Sequence, residues 1–370
     1  MKKIKIAIIG CRGIPNQYGG FEQLAQFLAK GLAEKGMDVT VYNSHHHPYK
    51  AKSWNGVKIV HRYDAEKQLG TAGQFIYDLN CIRHARKNNF DAWLFLGYTS
   101  SSVWHSFFPG NTVILSNMDG LEWKRSKYSS PVQGFLRYAE KLAVRHSHIL
   151  IADSPVIAGY LENKYRRKSR FIPYGAVERP VTHTPLIARS LNLLSGTYLL
   201  VMARLEPENN VAMILEGFVQ SGDAYRLVVI GSTSNKTGRA LKEKYKNNKN
   251  ILFAGAVYEP AITHWLRQHC LLYFHGHSVG GTNPSLLEAM GDGAAIAAHA
   301  NPFNRAVLGD DAWYFQSATE IIDIIREAGN MKTKGWQLNN LRKIREQYNW
   351  PRIVEQYHQL ITESIHQQQA

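Results

Sequence analysis

The run from His275 to Asn283, HGHSVGGTN, continues through Pro284 to Glu288 and offers two chemistries. Gly276 to Gly280 matches G-x-S-x-G, the turn that exposes a serine nucleophile at the head of a helix. Gly281-Thr282-Asn283 ahead of Pro284 matches the other, an anion cradle at a helix start. An elbow needs its helix to begin at once. Here proline favours the first helical position and Asn283 the cap, so the helix is predicted to begin six residues after Ser278. That spacing suits the cradle. The N–H groups of Gly280, Gly281, Thr282 and Asn283 would meet phosphate oxygens, and Glu288, just over one turn in, would accept hydrogen bonds from two vicinal ribose hydroxyls. Asp310 or Asp311 and then His358 follow Ser278 in the order of a hydrolase triad, so a serine hydrolase stands as the alternative.

Three other places carry polar groups where a ligand would meet them. In ARLEPENN, Arg204 follows an apolar run and would grip a pyrophosphate through charge-assisted hydrogen bonds; Asn209 lies five residues on. In GCRGIPNQYGGFE, Gly19 and Gly20 stand at a predicted helix start, where backbone donors approach a phosphate or sugar hydroxyl without a Cβ in the way. Arg12 and Tyr18 add polar reach there, and the absence of G-x-G-x-x-G argues against a dinucleotide. In NMDGLEW, Asp119 and Glu122 follow another apolar run and are the candidate catalytic pair that orients acceptor or sugar. No two aspartates are separated by one residue, so no D-x-D pair exists to anchor a metal, and none is expected. His45-His46-His47 reads as a loop rather than a ligand set.

These residues need a scaffold that brings loop after loop to one edge. The first half alternates strands, predicted at 4–10, 38–43, 57–62, 92–97, 112–117, 148–154 and 169–175, with helical segments such as 20–36. Residues 177–196 carry two prolines and little periodicity and are predicted as a linker. The pattern then restarts, with strands at 197–203, 225–231, 251–257, 271–277 and 294–300 and helices near 209–221, 237–247, 259–269 and 284–291. The expected fold is α/β, with two Rossmann-like doubly wound domains facing a cleft. Residues 1–176 form the first domain, 197–345 the second, and a last helix near 350–366 follows the second sheet.

The 370 residues suit two domains. No apolar run approaches the ~20 residues that span a bilayer. Cys11, Cys81 and Cys270 are odd in number and widely spaced, as in a reducing cytoplasm. Charge is divided unevenly: residues 1–175 hold 25 Lys and Arg against 12 Asp and Glu, a surplus of 13, and the remainder 19 against 17. So one-sided a field points to a polyanionic surface. Arg137, Lys141 and Arg145 recur every four residues, on one face of a helix, with Lys124 and Arg125 close by in sequence. Anionic lipid fits this pattern; a nucleic-acid binder, the third reading, would need aromatic stacking platforms or a recognisable module.

Taken together, GIPNQYGGFE, DGLEWKRSKY, IPYGA, ARLEPENN, GGTNPSLLEAM, NPFNRAVLGDDAWYF and YNWPRIVEQY span nearly the whole chain. They resemble the retaining glycosyltransferases of family 4, with the GT-B fold, and within them the bacterial rhamnosyltransferase-like branch of polysaccharide synthesis. The resemblance implies a nucleotide-diphosphate sugar as donor, dTDP- or UDP-linked, bound by the second domain. Glu288 would hold the ribose, Arg204 the diphosphate, the Gly281–Asn283 loop phosphates or sugar, and Val257 and Tyr258 the base. Gly19 and Gly20 would cover the diphosphate from the first domain, and the last helix would cross back onto that domain. It implies no cofactor, and as acceptor a polyprenyl-diphosphate-linked glycan at the inner leaflet, in O-antigen lipopolysaccharide or capsule synthesis. The enzyme would be a peripheral cytoplasmic protein, with Arg12, Tyr18, Lys124, Arg125, Arg137, Lys141 and Arg145 on the acceptor or membrane side. Two departures stand out: the wider family has a second glutamate where Gly280 lies and a lysine where Asn209 lies.

Overall fold

The computed structural model describes residues 3–17, 19–125, 128–178, 185–190, 193–222, 224–328 and 335–369. The chain divides into two compact units. One comprises residues 1–124, 128–174 and 350–370, the other residues 125–127 and 175–349.

The first unit is built on eight strands: β1 (Lys5–Ile9), β2 (Asp38–Ser44), β3 (Ser53–Trp54), β4 (Val57–Arg62), β5 (Ala92–Leu96), β6 (Val113–Asn117), β7 (Ile149–Ala152) and β8 (Arg170–Phe171). Their order across the sheet is β3-β4-β2-β1-β5-β6-β7-β8, parallel except for the β3–β4 pair. Sheets covered on both faces need apolar strands throughout. KIAII and AWLFL meet that need, and Ile6 to Ile9 and Ala92 to Leu96 are buried. The helices are α1 (Gly20–Glu34), α2 (Glu66–Leu69), α3 (Gly73–Arg86), α4 (Ser130–His146) and α5 (Pro155–Tyr165). Leu24, Leu28 and Leu32 recur every four residues on α1 and are buried. Trp93, Phe95, Tyr42 and Tyr77 centre the core of this sheet.

The second unit carries β9 (Tyr198–Met202), β10 (Arg226–Ile230), β11 (Ile251–Gly255), β12 (Leu272–His275), β13 (Ile296–His299) and β14 (Trp313–Phe315). All are parallel, in the order β11-β10-β9-β12-β13-β14. Its helices are α6 (Leu186–Ser190), α7 (Val211–Ser221), α8 (Lys236–Tyr245), α9 (Pro260–His269), α10 (Pro284–Gly291), α11 (Pro302–Leu308), α12 (Ala318–Glu327) and α13 (Trp336–Glu346). Within the stretch predicted as a linker, α6 is helical, and residues 179–184 and 191–192 lie outside the described set. A last helix, α14 (Trp350–Gln369), belongs to the first unit.

Both sheets reverse their winding direction, between β1 and β5 in the first and between β9 and β12 in the second. Ligands of open parallel sheets bind beyond the carboxyl ends of the strands at such a reversal. The loop after β1 carries Gly10 to Gly19, the loop after β9 carries Arg204, and the loop after β12 leads to α10.

Candidate functional site

The loop after β12 is held rigidly at its base. A Cβ on Gly276 would lie 2.1 Å from the Asn209 carbonyl oxygen, so only glycine fits there. Asn210 Nδ2 donates to the Gly276 carbonyl at 2.8 Å. Asn301 and Asn304, at the head of α11, each donate to the His277 carbonyl at 3.0 Å. Ser278 donates through both its N–H (3.0 Å) and its hydroxyl (2.8 Å) to the Glu208 carbonyl. That hydroxyl is committed to backbone, and the helix starts at Pro284, so the loop is not a nucleophile elbow. Beyond it Gly280 takes φ 139°, a conformation that favours glycine. Asn283 caps α10, its side-chain oxygen accepting from the Ser285 N–H (3.0 Å) and hydroxyl (2.8 Å). Thr282 is buried.

Glu288 is not the lone carboxylate that the sequence suggests. Its Oε2 lies 2.9 Å from a guanidinium nitrogen of Arg267 on α9. Arg267 also bonds Asp292 Oδ2 through Nε at 2.6 Å, and Asp292 bonds His264 Nδ1. Burial works against the Arg267 cation, but the Glu288 and Asp292 carboxylates more than offset it and raise its pKa.

Arg204 is exposed, just past β9. The glutamates nearest in sequence are engaged elsewhere. Glu206 accepts from Asn235 Nδ2 at 3.2 Å, and the buried Glu208 lies 3.7 Å from the Arg125 guanidinium. Arg125, expected on the acceptor or membrane side, is only 16% exposed in its side chain and faces this carboxylate. Asn209 is buried, with Nδ2 donating to the Arg204 carbonyl at 2.7 Å, a bond that fixes the arginine's backbone. His275 and His277 stack at 4.4 Å between ring centroids. Burial, then Arg204 and Arg125, push the His277 pKa down to about 3; burial, then His277 and His299, lower that of His275 well below its usual value. Tyr258 is exposed and Val257 half-buried, ahead of α9.

In the first unit Gly19 has φ 118° and caps α1, which Gly20 opens; a Cβ on Gly19 would lie 2.1 Å from Glu22 Oε2. Glu22 is buried and accepts from the Arg12 N–H at 2.7 Å. Burial raises its pKa. The Arg12 guanidinium is bound by Glu66 at 2.8 and 2.9 Å and by Gln74 at 3.3 Å, with the side chain 32% exposed. Tyr18 lies outside the described residues. Asp119 takes φ 49° after β6, and Glu122 opens a single 3-10 turn. Both lie near the buried Tyr98, whose pKa rises through burial and then through Glu140, Glu122 and Asp119. Trp123 donates to the buried Glu140 at 3.2 Å, and the cations of Lys124, Arg137 and Lys164 stand 5.6, 5.0 and 5.5 Å from its ring. Arg137, Lys141 and Arg145 are exposed on α4, beside exposed Val132, Phe135 and Tyr138.

The histidines of the expected loop are used locally, His45 Nδ1 bonding the Asp64 N–H and His47 Nε2 the Pro15 carbonyl. Among the described residues no cluster of ligating side chains could hold a metal, and no helix is long and apolar enough to cross a membrane. Sequence reasoning missed Arg267, Asp292, His264 and the His275–His277 pair. The HGH spacing at a strand end was the visible signal for the last of these.

The chain is a glycosyltransferase with the GT-B fold. Residues 187–339 match the family model described as glycosyl transferases group 1, and residues 3–177 match a domain of unknown function, DUF1972. Among solved structures it is similar to a sucrose-phosphate synthase from Thermosynechococcus elongatus. The two share 16% identity and a TM-score of 0.80, over 98% of this chain and 99% of that one. It is also similar to HepE of Anabaena in complex with UDP and glucose (15%, TM-score 0.76, 97% and 100%) and to a glycosyltransferase of Rickettsia africae (11%, TM-score 0.72, 99% of both). No curated protein matches the chain.

Proposed function

We propose that this glycosyltransferase draws on a dTDP- or UDP-sugar held by the second unit and moves a hexose or deoxyhexose, with retention, to a polyprenyl-diphosphate-linked glycan. The process served is synthesis of bacterial surface polysaccharide, O-antigen lipopolysaccharide or capsule. The observation that carries the reading is the grouping of Arg204 and the Gly280–Asn283 loop around the β9–β12 reversal, with Glu288 one turn behind.

Each part has its task. The Gly281, Thr282 and Asn283 amides and Arg204 take the diphosphate, and Glu288 takes the ribose hydroxyls. Tyr258 and Val257 flank the base, and Asn209 acts by holding Arg204 in place. As the glycosidic bond breaks, negative charge grows on the leaving diphosphate, and fixed donors stabilise it most at that moment. We assign that neutralisation to the arginine and the helix-start amides because the sequence lacks the aspartate pair that would bring a metal. Asp119 and Glu122 orient acceptor or sugar, and Gly19 and Gly20 offer backbone donors to a phosphate or sugar hydroxyl. HepE was solved with UDP-glucose, which supports a nucleotide-sugar donor here.

The basic first unit is assigned to the acceptor and to the inner leaflet. Lys124, Arg137, Lys141 and Arg145 are its cations, each adding about 1 kcal/mol near an anionic surface. Thermal shift against UDP, dTDP, GDP and ADP tests the donor site. UDP or dTDP raises the melting temperature of the wild type, and Arg204→Ala weakens that binding about tenfold or more. A folded sample that none of the four stabilises overturns the reading.

A further inference from the structure

We infer that Arg267 is a positioning residue for nucleotide recognition, its buried guanidinium setting the Glu288 carboxylate in the pose that receives the ribose. The inference rests on the assignment of the ribose to Glu288.

Glu288 lies on α10 and Asp292, four residues on, is its C-cap, so the two carboxylates fall on one side, where they repel. Arg267 reaches across from α9 and bonds both, at 2.9 Å to Glu288 and 2.6 Å to Asp292. A third nitrogen lies 3.1 Å from the Met202 sulfur at the end of β9. Three nitrogens of one planar fork are therefore engaged, in a side chain only 5% exposed, and the group has no room to turn. Asp292 is fixed in its turn by His264, one helical turn before Arg267 on α9. Exposure is graded along this chain: Asp292 at 4%, Arg267 at 5% and Glu288 at 34%. The anchor is buried and the end that meets solvent is the carboxylate expected to meet the ligand.

A glutamate free on a helix surface must give up rotamer freedom when it binds a diol. One already held by a guanidinium has given it up on folding, and preorganisation of this kind strengthens binding. α9 begins just after Val257 and Tyr258, so one helix supports the residues assigned to base and to ribose.

Titration calorimetry with UDP, GDP and ADP, each against its 2′,3′-dideoxy counterpart, tests this. The wild type prefers at least one hydroxylated form by about tenfold. Glu288→Gln abolishes the preference. Arg267→Lys keeps a positive charge but loses the fork. It is expected to cut the preference several-fold while affinity for the hydroxyl-free form stays within about twofold. If Arg267→Lys does not fold, Asp292→Asn frees the guanidinium from its far side and is read the same way. Retention of the full preference in the Arg267→Lys or Asp292→Asn variant overturns the inference, as does equal weakening of both ligands, which is the mark of a merely structural role. Retention of the preference in Glu288→Gln, or its absence from the wild type, overturns the ribose assignment itself.

Discussion

His277 links the site to pH. Burial and two nearby arginines favour its neutral form in the folded chain, down to about pH 3, whereas the unfolded chain protonates it near its usual pKa of 6.5. A folded pKa below the unfolded one means that its stabilising effect is complete above pH 6.5 and is lost progressively as pH falls from there toward 3. Between pH 7.5 and 5 the group removes about 1–2 kcal/mol. Urea denaturation at the two pH values is expected to show a smaller loss in His277→Gln than in the wild type. Legibility at this scale followed sequence distance. Asn283, Pro284 and Glu288 were readable because cap, first turn and carboxylate are neighbours along the chain. Arg267 was not, because its partners lie on a different helix and an arginine in WLRQH has no local mark that separates a buried fork from a surface charge. The same holds for Arg12 and Arg125, whose carboxylates come from Glu66 and Glu208.

At the scale of elements, α11 is more than a connector. Asn301 caps it, accepting from the Phe303 and Asn304 N–H groups at 3.0 and 3.1 Å, while its Nδ2 donates to the His277 carbonyl. Asn301→Ala removes cap and brace together and is expected to cost about 1–2 kcal/mol in urea denaturation. Asn301→Ser keeps a cap acceptor and loses only the donation to the His277 and His299 carbonyls, so its cost is expected to be smaller than that of Asn301→Ala. Most strands with apolar runs were readable to within a residue or two, as in 38–43 against Asp38–Ser44, but the strand expected at 169–175 is only Arg170–Phe171. β3 and β14 were not, since two and three residues carry too little pattern to tell from a loop. The stretch predicted as a linker hid α6 because prolines and the weak periodicity of five helical residues leave no stripe to read.

At the scale of the whole chain, α14 is built into the first unit's core. Trp350 stacks on Phe27 at 4.4 Å with rings 6° from parallel, and Lys35 meets Glu355 at 2.5 Å. Gly31 on α1 faces Val354, whose methyl carbons would lie 2.6 and 2.7 Å from an added Cβ. Alanine in place of glycine ordinarily favours a helix interior by about 1 kcal/mol. Here Val354 is buried and cannot move aside, so overpacking, at about 1–3 kcal/mol, wins. Gly31→Ala is expected to lower the melting temperature, and its effect to shrink when Val354→Ala is present. A double-mutant cycle by calorimetry reads that coupling.

The return of α14 also sets an order of events during synthesis. Residues from Lys5 onward must wait for those after Trp350 before their unit is whole, while the second unit needs only residues 125–127 and 175–349 and is complete earlier. A domain whose residues have all been made can fold as it leaves the ribosome. In this enzyme the half assigned to the nucleotide is therefore finished first, and the half that carries the surplus of basic charge is sealed last.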